Sequence, residues 1–273
     1  MVMDLLFQSP RIVNLYSHCG FSLQVEAIHG PSIESFVDNE ERYYMHDPPP
    51  PLTPTEKLTM AKEMAEGLAD LHGFSGGPIV HHDVQIVQYL LDENQHVIMS
   101  DFNRADPLLY DKSKEEYCKV QLGVANGELR SPEEYALDFM DEKSDVYSFG
   151  NVIYTLLTGK DPYEDIDETQ TPSELSTNGI VPRVGRKIRG NSFAESALAT
   201  VMDKCYEYVS DNRVDIFTVI DLLNDAIALN EKFENIELTE FADDDWKAIL
   251  HHKSTHNSTT EVKGSRFRDW LPW

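Results

Sequence analysis

Apolar residues recur every three or four positions between 55 and 72. Leu58, Met60, Ala61, Met64, Ala65, Leu68 and Leu71 make one stripe, and the pattern predicts an amphipathic helix with Thr55 as its N-cap. Residues 143–159 are apolar almost all round, through Val146, Phe149, Val152, Ile153, Leu156 and Leu157, so a buried helix closed by Gly159 is expected there. Two further amphipathic helices are predicted over 192–209 and 214–233, each behind a polar cap. Ahead of them the period shortens. Residues 11–28 carry two β-rich runs about Gly20, which predicts a hairpin. A short helix behind Ser32 follows the His29-Gly30-Pro31 breaker, and Asp47 to Pro54 is a stiff proline-rich stretch that no helix can enter. Short apolar strands are expected at 77–80, 88–91 and 96–99, and 101–133 is an irregular polar loop. A few strands followed by helices, without an internal repeat, is an α+β arrangement.

From about Asn235 the pattern frays into acids, Ser/Thr and isolated tryptophans, the composition of a tail with a docking segment or two. His251, His252 and His256 lie in it without an acid or cysteine at metal-ligand spacing. The chain has 273 residues with 48 acids against 23 bases, a formal net charge of -25. Such a balance argues against nucleic acid as a partner, because phosphate backbones reward Lys and Arg. Cys19, Cys118 and Cys205 are far apart and are taken as reduced thiols. The first residues lack the basic and long apolar regions of a signal peptide, and no segment approaches the ~20 apolar residues of a membrane span. A cytoplasmic location is expected, with the sequon at Asn257 unmodified.

Five short motifs occur in one order: His81-His82-Asp83, Asp101-Phe102-Asn103, Ser131-Pro132-Glu133, the Asp145–Gly150 run DVYSFG, and Arg213 in DNRVDIF. Their order and spacing resemble those of the protein kinase superfamily, which carries His-Arg-Asp, Asp-Phe-Gly and Ala-Pro-Glu at these places. The resemblance covers roughly residues 5–228. It implies a remnant of the small lobe and hinge over 1–31, a mainly helical large lobe over 32–228 and a tail over 229–273. In the family such residues largely hold up the fold: His81 and Phe102 pack, Asp145 holds the catalytic-loop backbone, and Glu133 pairs with Arg213. Asp83 falls at the base position, and Asp101 with Gln88 at the metal positions. Val25, Glu26 and Ile28, with Leu90, fall on the adenine side of a nucleotide cleft. The implied cofactors are ATP and Mg²⁺ if the chain is active, and otherwise none, and the implied partner is a protein, as substrate or as binding partner. The family's Gly-rich loop, lysine strand and helix glutamate would lie before residue 1.

The departures weigh on the chemistry. Phosphoryl transfer rests on positioning and positive charge around the moving group. Gln85 stands where the family has a lysine, and Gln88 where it has the asparagine that binds the second metal ion. The extra methylene of Gln88 displaces its carbonyl by roughly 1 Å, whereas Mg²⁺ requires bonds of about 2.0–2.1 Å. The expected function is therefore a pseudokinase or fragment acting as a binding or scaffold module. The alternative is an ATP-dependent Ser/Thr-type kinase whose N-terminal part precedes this sequence. His82, in place of the family's arginine, removes the charge that would gather a phosphate on the loop that carries Ser113 and Tyr117.

Overall fold

The computed structural model describes residues 2–7, 9–20, 22–37, 45–123, 129–166 and 169–234. Of the 229–273 tail, residues 229–234 continue the last helix, and the part beyond Glu234, with its histidines and the sequon, lies outside the described residues. One turn of helix, α1 (Val2–Leu5), leads to the antiparallel hairpin β1 (Leu15–Cys19) and β2 (Ser22–Val25), which is turned at Gly20 with φ 58°. This unit is joined to the rest through backbone bonds about one strand: Val13 donates to Met99 O at 3.0 Å and Met99 to Arg11 O at 2.7 Å. Met3, Val13 and Ile98 form a small apolar cluster beneath it, with Leu15, Ile28 and Phe102 packed against them.

The main body is helical. α2 (Glu34–Val37) is a single turn, and Ser32 forms a bridge to Leu90 ahead of it. α3 (Pro54–His72) starts two residues earlier than the periodicity suggested. Thr53 is the cap in place of Thr55, because its hydroxyl accepts from the Glu56 N–H while the Glu56 carboxylate accepts from Thr53 N, with Pro54 in the first turn. α5 (Lys143–Thr158) is buried along almost its whole length and ends at Gly159, whose φ of 67° suits a residue without a Cβ. It packs on α8 (Phe193–Cys205), and α9 (Ile216–Glu234) packs on both α8 and α3. Leu68, Phe149, Ile153, Leu198 and Val219 meet in the core these helices share.

The stretch 101–133 is less irregular than its sequence suggests. Ile79–Val80 forms β3, which pairs antiparallel with β6 (Asp106–Pro107), and β7 (Tyr110–Asp111) pairs with β8 (Glu116–Tyr117). Pairing partners so short carry too few residues for an alternating pattern to show. Between them β4 (Tyr89–Leu91) and β5 (Val97–Met99) make a hairpin. After the loop come α4 (Pro132–Tyr135), α6 (Pro172–Thr177) and α7 (Arg186–Arg189).

Two buried charges tie these pieces together. Arg213 is wholly buried and forks onto Glu133, Nη1 to Oε1 at 2.7 Å and Nη2 to Oε2 at 3.1 Å. Its remaining donors reach the carbonyls of Glu207, Lys143 and Tyr208, and its guanidinium lies 5.0 Å from the Tyr147 ring centre. Asp145, on α5, accepts the backbone N–H groups of His81 at 2.7 Å and His82 at 2.9 Å, and meets His72 Nε2 at 3.0 Å. Burial works against its ionisation, but these partners win and hold the carboxyl below its ordinary range. His81 and His82 are held below the ordinary imidazole range, mainly by burial, against the pull of Asp145. His82 sits at φ 61°, and neither of its ring nitrogens has a partner among the described residues.

Arg213→Ala is expected to cost ~3–5 kcal/mol, because Glu133, whose side chain is only 11% exposed, is left without its partner. A urea-unfolding midpoint within experimental error of the unaltered protein would rule out a stabilising pair. A pH effect follows from the histidines. The unfolded chain protonates them below about pH 6.5 while the folded chain resists, so stability is full above that pH and falls as the medium is acidified. His82→Asn, which tolerates positive φ and removes one ring, is expected to flatten the loss between about pH 7 and pH 5. Parallel stability–pH curves for the two proteins would show that the His82 ring does not contribute.

Candidate active site

β3 delivers His81-His82-Asp83 and β5 delivers Asp101, so two strand ends bring the two acids to one amide, that of Gln88. The connection is local: Asp83 N–H donates to His81 Nδ1 at 3.2 Å, which leaves Nε2–H to meet the Ser100 carbonyl at 3.2 Å. The His81 ring stands edge-on to Phe102, with centres 5.1 Å apart. Asp101 itself takes φ 58°, an uncommon conformation that Asp tolerates better than most residues.

The side chains then close on one another. The Gln85 amide donates to Asp83 Oδ1 at 2.6 Å, and the Gln88 amide lies between the two acids, 3.5 Å from Asp83 Oδ2 and 3.4 Å from Asp101 Oδ2. A third group arrives from the far end of the loop. Arg130 Nη1 is 2.7 Å from Asp83 Oδ1 and 2.8 Å from the His82 carbonyl. Its Nε lies 3.8 Å from Glu134 Oε1, which also accepts from Arg104 at 2.9 Å. Burial pushes the Glu134 carboxyl up, against the pull of Arg130 and Arg104. Sequence reasoning passed over Arg130, Arg104 and Glu134. The available signal was a basic residue directly before Ser131-Pro132-Glu133 in a chain short of bases, and it carried no information about distance. The inference that His82 leaves this corner without a cation is corrected here: Arg130 supplies one from 48 residues away in sequence.

Val25, Glu26, Ile28 and Leu90 line a cleft of about 720 Å³ together with Asp101 and Phe102, and Val2, Met3 and Leu5 of α1 complete one side. That volume and mostly aliphatic lining suit a flat heteroaromatic ring. Glu26 is engaged locally, accepting from the Asn14 amide at 2.7 Å. Glu133 and Arg213 belong to the ion pair described above, away from this cleft. A dication finds a poorer fit. The Gln88 amide nitrogen occupies the space between the acids, Asp83 is already neutralised by Arg130, and no group of three His, Cys, Asp or Glu able to hold a metal occurs among the described residues.

Comparison with known proteins agrees with this architecture. A family model described as protein tyrosine and serine/threonine kinase matches residues 1–223. A probable LRR receptor-like serine/threonine-protein kinase of Arabidopsis thaliana is 33% identical over 196 residues, 68% of this chain and 20% of that protein. U-box domain-containing protein 33 of the same plant is 31% identical over 215 residues, 77% of this chain and 24% of that protein. Its calcium/calmodulin-regulated receptor-like kinase 2 is 26% identical over 218 residues, 78% of this chain and 48% of that protein. The chain therefore spans from a fifth to a half of the length of these relatives. Since that model covers residues 1–223 of the 273, the chain belongs to the protein tyrosine and serine/threonine kinase family.

Proposed function

We propose that this chain works as a kinase-fold binding module, engaging a protein partner through its helical lobe, and is at most a feeble phosphotransferase. The observation that carries the reading is the closed circuit on Asp83. A base that must accept a hydroxyl proton needs a free lone pair aimed at the substrate. Here one oxygen already faces a guanidinium and an amide, and the other faces Gln88. Gln85 offers a neutral dipole where a full positive charge would stabilise the transferring phosphoryl group. Losing one such preorganised electrostatic contact costs about 2.7–4 kcal/mol in well-studied sites. From a typical kinase rate of ~1–100 s⁻¹ that alone removes two to three orders of magnitude.

The cleft supports nucleotide contact more readily than turnover. Val25 to Ile28 and Leu90 would receive the adenine, and Asp101 would face the phosphate end. A cytoplasmic setting is part of the proposal: no helix among the described residues is long and apolar enough to cross a membrane, and Cys19 and Cys118 are exposed, unpaired thiols. The second reading, an ATP-dependent Ser/Thr-type kinase, draws on one observation. Asp83 and Asp101 still converge on a single amide, so the two acids of the reaction are held together.

The assay is purified 273-residue protein with Mg²⁺ or Mn²⁺, labelled ATP and a generic protein substrate, alongside Asp83→Asn and Asp101→Asn. Incorporation is expected below ~10⁻² s⁻¹ and insensitive to Asp83→Asn. Turnover near 1 s⁻¹ that vanished in both variants would establish the enzyme reading instead.

A further inference from the structure

Positive charge is scarce in this protein, yet residues 183–189, RVGRKIR, carry four bases and no acid. They border a pocket of about 460 Å³ lined by Val181, Arg183, Val184, Arg186, Arg189 and Tyr206, with Asp203 at its edge. Its floor is apolar, since Val184 and Tyr206 are buried. Arg189 is held in place: Nη2 reaches Asp203 at 2.8 Å and Nε the Val184 carbonyl at 3.3 Å. Arg183, Arg186 and Lys187 are exposed, and their charged groups have no ion-pair partner among the described residues. A concave apolar floor rimmed by unpaired guanidiniums fits an acidic peptide that carries an aromatic residue.

The chain holds such a peptide close by. Glu237, Glu240, Asp243, Asp244 and Asp245 follow α9 with no base before Lys247, and Phe241 and Trp246 are interleaved with them. α9 ends at Glu234, and Phe233 packs on Phe193 with ring centres 5.0 Å apart. Phe193 opens α8, and Asp203 lies ten residues along it, about 15 Å at the helical rise. Three to eleven extended residues beyond Glu234 span roughly 10–36 Å, so the acids bracket that distance. The tether also sets a high effective concentration for this segment over any free competitor. We propose that the acidic segment 237–246 docks in the arginine-rimmed pocket of its own chain, with Asp243 to Asp245 at Arg183 and Arg186 and an aromatic side chain on the Val184–Tyr206 floor. This docking is independent of whether the cleft turns over ATP.

All three tryptophans of the chain, Trp246, Trp270 and Trp273, lie in the tail, which gives a clean reporter. In the 273-residue protein with Trp270→Phe and Trp273→Phe, Trp246 emission is quenched with acrylamide. Quenching is expected to be about two-fold weaker than for a free peptide of residues 235–250 at ~0.01 M salt. It should rise towards the peptide value at ~1 M, where the screening length falls from about 30 Å to about 3 Å. Arg183→Glu with Arg186→Glu, both at exposed positions, should release Trp246 in the same way, and adding Asp243→Lys with Asp244→Lys should restore protection. Circular dichroism confirms that each variant is folded. Equal quenching with and without the arginine reversals overturns the proposal. So does a Trp246 as accessible as in the peptide while an added acidic or phosphorylated peptide protects Arg183 and Arg186 from trypsin, which would assign the pocket to a separate partner.

Discussion

The loop that bears the candidate base exists because one buried carboxylate requires it. Asp145 is sealed inside the helical lobe, where an unpartnered charge is untenable, and its oxygens take the N–H groups of His81 and His82 and face the His72 ring. Three separate elements, α5, β3 and the end of α3, are thereby pinned to one point. The chain must turn sharply there, which places His82 at positive φ and aims Asp83 back towards β5. Removing a partner from a buried charge of this kind typically costs ~3–5 kcal/mol, a large part of what holds a domain together.

A second consequence concerns where the few cations go. With 23 bases against 48 acids, positive charge is a limited resource, and three arginines are engaged with the two carboxylates of α4. Arg213 clamps Glu133, Arg104 and Arg130 flank Glu134, and Arg130 continues to Asp83. The fork geometry of arginine suits such buried pairs better than lysine would. The same web that secures the loop neutralises the acid that a phosphotransferase would keep available. Under the proposed function, fold maintenance and catalysis draw on one carboxylate, and Arg130 commits it to the former. Arg183 and Arg186 stand apart from this web, which is why their exposure is informative.

The helices were plain in the sequence because each buries a stripe long enough to repeat: the apolar positions of 58–71 and the nearly all-apolar run of 146–157 are both core in the structure. The β1–β2 hairpin was legible from its turn glycine. The start of α3 was misplaced because Thr53 and Thr55 are chemically equivalent caps, and the choice between them depends on which one Glu56 answers. The strands at 106–107, 110–111 and 116–117 were invisible, since pairs of two residues owe their existence to partners elsewhere in the fold.

The site divides in the same way. Motif order alone located Asp83 and Asp101, because strand ends separated by a short hairpin must converge, and it identified Gln85 and Gln88 as departures. The sequence therefore determined the family and the helical lobe, and it named the two acids as candidates. Whether Asp83 is free was decided by Arg130, 47 residues beyond it and carried there by the return of the loop onto the lobe. Such a contact leaves no local pattern. A 2.7 Å ion pair across that separation is a property of the closed chain, set by the packing of α4 and the clamp of Arg213 on Glu133, and it comes into being only when the chain folds.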